Sequence, residues 1–212
     1  MKFLTEKDDF PPVDSANSIG LLAFGGDLSP ERLMQAYTHG IFPWYDSSQP
    51  ILWWSPDPRM VLFPERLKIS KSMKQLLKKG AFEVSFNRNF EKVIQNCAAM
   101  PREGQQGTWI TREMQEAYVK LHELGWAESV EVWQEGQLMG GIYGIYLREK
   151  KVFCGESMFT KVSNASKYGF IKMVENLKQR GVRLIDCQIY TEHLASLGAE
   201  EIPREEFLKY LH

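Results

Sequence analysis

"AESVEVWQEGQLMGGIYGIYLREKKVFCGESMF", residues 127–159, decides the fold. Three strand-like runs are separated by turn signals at Glu135-Gly136 and near Glu149-Lys150, the pattern of an antiparallel meander. "ASKYGFIKMVENLKQRG", residues 165–181, then reads as a long helix terminated by Gly181. "RLIDCQIY", residues 183–190, returns as a strand. A meander, a crossover helix and a returning strand predict an α+β unit with a mixed sheet.

Working outward, "SKSMKQLLKKG" predicts a helix capped by Ser70, "FEVSFN" a strand, and "NRNFEKVIQNCAAM" a helix capped by Asn87. A helix from Thr111 carries the apolar stripe Met114, Tyr118, Leu121 and Leu124. Two short helices are expected after Thr191 and after Pro203. The first 60 residues are rich in Gly, Pro and aromatics and hold one clear helix. Its N-cap is Ser29, its first residue Pro30, its stripe Leu33, Met34 and Tyr37, and its terminator Gly40. We therefore expect a small N-terminal α/β domain over residues 1–60 and a larger domain over 61–212.

The 212 residues are 43% hydrophobic and 25% charged, as in an ordinary globular protein rather than a disordered or fibrous one. No apolar run approaches the roughly 20 residues that span a bilayer, and acids interrupt the N-terminus where a signal peptide needs apolar residues. A cytoplasmic protein with no membrane partner is expected. A net charge of -1 argues against coating nucleic acid by bulk charge. Cys97, Cys154 and Cys187 form no CxxC pair and are read as reduced core residues. His39, His122, His193 and His212 show no metal spacing, and the phosphate-loop, dinucleotide and HExxH motifs are absent, so no metal is expected. "CGESM" does not fit the GxSxG nucleophile elbow.

The chemistry-bearing residues sit in unexpected company. Asp186 and Gln188 lie two positions apart in an apolar strand and so point to one face, while Glu156 stands among Phe153, Cys154, Met158 and Phe159. Either acid alone reads as a solvated edge residue. Two strands joined by one crossover helix often lie adjacent, which would gather Glu156, Asp186 and Gln188 into one polar spot in an apolar wall. Such a spot either binds a hydroxyl or amine and helps remove a proton, or forms a structural hydrogen-bond network. Arg66, Lys68, Lys71, Lys74, Lys78 and Lys79 occur with no acid among them, and three of the lysines recur at helical spacing. They read either as a solvated face or as a phosphate-binding one. Trp44 and Trp109 occupy turn-rich surroundings suited to stacking on an unpaired base, whereas Trp53 and Trp54 read equally as core.

The chain resembles the bacterial leucyl/phenylalanyl-tRNA-protein transferases. The matching stretches are "GLLAFGGDLSPERLMQAYTHGIFPW" (20–44), "ILWWSPDPRMVLFPE" (51–65), "GTWITREMQEAYVKLHELGWAESVEVW" (107–133), "FCGESMF" (153–159), "NASK" (164–167), "LIDCQ" (184–188) and "HLASLGAEEIPREEFLKYL" (193–211). They cover nearly the whole chain in the family's order. The resemblance implies a small domain on a larger acetyltransferase-like (GNAT-like) one with a mixed sheet. It implies transfer of Leu or Phe, and Met more weakly, from aminoacyl-tRNA to the N-terminal Arg or Lys of acceptor proteins, marking them for N-degron degradation. No cofactor is implied, because the aminoacyl ester is already activated.

By the same resemblance, Asp186 orients or polarises Gln188 as the catalytic pair. Glu156, Trp44 and Trp109 hold the aminoacyl-adenosine end, and Ile142, Phe153, Met158, Met173, Leu177 and Ile185 wall the aminoacyl pocket. The basic segment would contact tRNA phosphates. Two other readings are a CoA-dependent N-acetyltransferase, against which the missing Q/RxxGxG/A loop counts, and a noncatalytic RNA-binding module.

Overall fold

The computed structural model describes residues 2–100 and 108–212; Gly107, the first residue of the third matching stretch, lies outside them. The N-terminal part builds a four-stranded sheet from β1 (Lys2–Leu4), β2 (Leu21–Gly25), β3 (Phe42–Pro43) and β4 (Leu52–Trp54), in the order β1-β2-β4-β3. Helix α1 (Pro30–Thr38) begins where Ser29 accepts a hydrogen bond from the Arg32 N–H, with Pro30 at its first position. The chain passes to the larger sheet within residues 55–58.

That sheet is formed by β5 (Arg59–Leu62), β6 (Glu83–Phe86), β7 (Ala127–Gln134), β8 (Gln137–Leu147), β9 (Val152–Thr160), β10 (Leu184–Gln188) and β11 (Glu200–Ile202), in the order β11-β5-β10-β9-β8-β7-β6. Among its pairings only β9 with β10 is parallel, as a crossover through α5 (Ala165–Gln179) requires. The class is α+β with a mixed sheet. The other helices are α2 (Lys71–Lys79), α3 (Phe90–Ala99), α4 (Arg112–Glu123), α6 (Glu192–Ser196) and α7 (Arg204–Leu208). Among the described residues, no helix is long and apolar enough to cross a membrane.

Alternation along the strands gives the large sheet two buried faces. Ile142, Phe153 and Ile185 pack on one side with Phe170, Met173, Val174 and Leu177 of α5. Tyr143, Ile145 and Cys154 pack on the other with Val93 and Ile94 of α3, Met114 and Leu121 of α4, and Leu33 and Trp53 of the N-terminal part. Each such side chain gains roughly 1.5–3 kcal/mol from burial, so the two sheets share one core.

Two local readings need correction, and one strand went unseen. Asn87 does not cap α3: it has a positive φ of 56°, its side chain accepts from the Ser129 N–H at 2.8 Å, and the capping position falls to Asn89. In place of a side-chain cap, the buried Glu131 carboxylate accepts from the backbone N–H groups of Arg88 and Asn89 and from the hydroxyls of Ser85 and Ser129. Strand β5 was hidden because its short apolar stretch, residues 60–62, follows the turn-like Ser55-Pro56-Asp57-Pro58 and the strand begins with an arginine. The simple alternation expected of Asp186 and Gln188 also fails, since β10 opposes Asp186 to Val61 and Gln188 to Met60, leaving Cys187 as an extra residue.

Strand β9 carries a matching irregularity. Tyr143 opposes Ser157 and Gly144 opposes Gly155, so Glu156 is the unpaired residue of a bulge. The bulge brings the Cys154 carbonyl so close that a methyl on Gly144 would stand 2.2 Å from it. Gly144→Ala is therefore expected to destabilise the protein by about 1–3 kcal/mol or more through forced backbone displacement. Urea unfolding measures this, and a variant as stable as the parent would contradict it.

Candidate functional site

The two bulges lie side by side on neighbouring strands, next to the point where those strands separate. Parallel pairing of β9 and β10 ends at Cys154 with Asp186. Beyond it the Gln188 side chain bridges the gap, donating from Nε2 to Glu156 Oε1 at 2.8 Å. Gln188 has a φ of 64°, and the Ile189 N–H bonds the Cys187 carbonyl at 2.8 Å. That three-residue closure around a positive φ is a γ-turn of the rare, strained kind. It costs of order 1–3 kcal/mol and turns the chain out of the sheet, so that the amide reaches sideways to Glu156.

Asp186 plays a different part from Gln188. Its side chain is 1% exposed, and its two oxygens accept from Arg59 Nε at 2.8 Å and Nη2 at 2.7 Å. Oδ1 also accepts from the Gln188 backbone N–H at 2.9 Å. The Arg59 guanidinium lies between the Phe42 and Phe207 rings, 4.8 and 4.7 Å from their centroids, and donates its remaining Nη1 to the Gly40 carbonyl at 3.1 Å. Asp186 thus orients Gln188 through its main chain rather than through its amide, and it does not line the cavity beside it.

Glu156 is the carboxylate that does. Its Oε2 accepts from the Tyr118 hydroxyl at 3.0 Å. The Tyr118 oxygen also makes a short hydrogen-bonding contact with the Tyr37 hydroxyl. Burial pushes the Glu156 carboxyl up to about 7; the Asp186 charge adds to the rise, and hydrogen bonds from Tyr37, Tyr118 and Gln188 oppose it. Burial, followed by the Glu156 charge, holds both tyrosines well above their usual range. Tyr37 and Tyr118 were read as apolar-stripe residues; a buried phenol that must find a partner was the available signal.

The cavity, about 350 Å³, lies within the roughly 300–1,000 Å³ of ligand pockets. Ile142, Met158, Met173 and Ile185 line it as expected, joined by Phe170 and Leu194, which the sequence reading had not singled out. Phe153 and Leu177 do not line it; both are buried in the α5-side core, on the same faces as Ile185 and Met173 but further along the strand and helix. Trp44 and Trp109 stand at the cavity with Phe42 and Pro43. Trp53 is fully buried and donates to the Gly25 carbonyl, while Trp54 donates to the Trp44 carbonyl at 2.7 Å and holds that indole in place. Cys97 and Cys154 are core residues, but Cys187 is only partly buried and lines the cavity.

Lys71, Lys74, Lys78 and Lys79 are exposed along α2, and Lys68 is exposed just before it. Arg66 is engaged with Glu200. The α2 helix is fastened through Met73, which packs on Tyr168 and Ile171 of α5.

A greasy hollow with a carboxylate and an amide at its rim suits a ligand with an apolar end and a polar, reacting end. Residues 61–212 match the family model for leucyl/phenylalanyl-tRNA protein transferase, and residues 26–57 match that for its N-terminal domain. Among curated relatives named leucyl/phenylalanyl-tRNA--protein transferase, that of Christiangramia forsetii is 64% identical over 211 residues, covering 100% of each chain. That of Flavobacterium johnsoniae is 57% identical over 100% of this chain and 99% of its own. That of Stutzerimonas stutzeri is 54% identical over 97% of this chain and 92% of its own. The chain belongs to the leucyl/phenylalanyl-tRNA protein transferase family.

Removing one partner of the buried ion pair should be far worse than removing both. Arg59→Met is expected to cost about 3–5 kcal/mol by stranding the Asp186 charge. Arg59→Met combined with Asp186→Leu should recover a large part of that loss. Denaturant unfolding of the single and double variants decides it, and strictly additive losses would count against the coupling.

Proposed function

We propose that this protein is an aminoacyltransferase that moves Leu or Phe, and Met more weakly, from aminoacyl-tRNA to the N-terminal Arg or Lys of acceptor proteins in the cytoplasm. The observation that carries this reading is the full-length match to relatives of that name. The apolar cavity supports it, since enclosing a Leu or Phe side chain gains roughly 1.5–3 kcal/mol. A hydrophobic pocket separates similar apolar shapes weakly, which accords with more than one amino acid being accepted. Exposed lysines of α2 supply phosphate contacts common to all tRNAs, adding affinity rather than choice.

In this reading the acceptor amine attacks the ester carbonyl, the new amide bond forms, and the bond to the ribose oxygen breaks. Gln188, whose Nε2 is spent on Glu156, presents its amide oxygen to the incoming amine. Asp186, sequestered by Arg59, acts as a positioning residue that fixes the Gln188 main chain. Glu156 takes the proton from the amine and returns it to the leaving ribose oxygen. The groups facing it are Tyr37, Tyr118, Gln188 and Asp186. Trp44 and Trp109 flank the terminal adenosine, whose face they can stack on.

Incubation with radiolabelled Leu-tRNA and two peptides differing only in an N-terminal Arg or Ala tests the reading. Label in the Arg peptide alone supports it, and label in neither removes it. A base must be ionised, so single-turnover transfer should climb as pH rises through about 7. In Glu156→Gln that limb should vanish and the rate fall about 10²-fold or more, leaving the limb of the acceptor amine near about 8. An unchanged pH profile in the variant would exclude Glu156 as the base.

A further inference from the structure

Where β10 leaves the sheet, β9 keeps an edge that is open among the described residues. Pairing with β10 stops at Cys154, yet β9 continues to Thr160 with β8 along its other side. The Lys161 N–H bonds the Met139 carbonyl at 2.7 Å, which fixes the alternation of the β8–β9 ladder. Residues exchanging bonds with an antiparallel partner recur at every second position. Phe159 therefore turns its N–H and C=O toward β8, and Met158 and Thr160 turn theirs into the lane that β10 vacates. Met158, Ile189 and Thr191 all line the cavity. Ile189 and Tyr190, just past the γ-turn, are 40% and 51% exposed.

We propose that the acceptor polypeptide binds as an added parallel strand on this edge of β9. The C=O of its first residue accepts from the Met158 N–H, and the N–H of its third residue donates to the Met158 C=O. The proposal rests on the aminoacyl-transfer reading and adds how the acceptor is held. The amine has to arrive at Gln188 and Glu156, which stand where the lane opens. A chain whose N-terminus lies there can only run on toward Thr160, in the direction β10 was following, and parallel pairing follows. Met158 is two residues beyond Glu156, or about 6.6 Å along a strand, within reach of the first residues of the acceptor. Main-chain pairing of this kind accepts any side chain at the second and third positions, as β-strand addition does elsewhere.

The test uses the full-length protein, Leu-tRNA and an Arg-initiated peptide in three forms: unmodified, N-methylated at the second residue, and with an ester replacing the amide N–H of the third. The third-residue ester should lower kcat/KM for the peptide about five- to tenfold, the worth of a lost hydrogen bond, with KM for Leu-tRNA unchanged. Methylation at the second residue, whose N–H points away from β9, should cost less than twofold. A third-residue ester as good as the parent peptide overturns the proposal and leaves the open edge to the aminoacyl end of the tRNA. An unmodified peptide that receives no label removes the aminoacyl-transfer reading itself, and the proposal with it.

Discussion

The contact between the Arg59 guanidinium and the Asp186 carboxylate is what the rest of the arrangement depends on. Both groups are 1% exposed, and neither charge is tolerable there alone. The pair also holds other groups in place: the Gly40 carbonyl and Phe42 of the N-terminal part, the Phe207 ring of α7, and the Gln188 main chain. A buried ion pair is weak evidence of net stability, because desolvation offsets the attraction. Its effect here is geometric, since it fixes the strand end from which Gln188 reaches the cavity.

The two bulges explain how a sheet core can present polar groups at one point without losing its apolar faces. An extra residue in β9 frees Glu156 from the ladder, and an extra residue in β10 frees the turn at Gln188. Flanking residues resume alternation, so Phe153 and Ile185 stay in the α5-side core and Cys154 in the other. The strain at Gln188 is confined to one residue and is held by the Asp186 contact to its N–H.

Much of this was legible in the residues. The meander, the crossover helix and the returning strand follow from turn signals and periodicity, and Ser29, Ser70, Thr111 and Thr191 cap the helices they precede. The gathering of Glu156 with Gln188 follows from two strands joined by one helix. What escaped was whatever depends on contacts distant in sequence. The partner of Asp186 lies 127 residues away, in a strand masked by its own arginine. The tyrosines behind Glu156 sit on helices whose stripes look wholly apolar. Bulges leave no mark in a pattern of alternating residues, and for that reason Asp186 was expected to face the same way as Gln188.

The link at residues 55–58 looks like a joint at which the chain could be divided. Yet Tyr37, Gly40, Phe42 and Trp44, all from the leading segment, reach across it to the carboxylate relay, the buried guanidinium and the hollow. The seam in the backbone is therefore not a seam in the candidate site. Shuffling the front of one homologue onto the back of another would preserve two tidy sheets and still unstitch the apparatus, unless this handful of side chains travelled as a matched set.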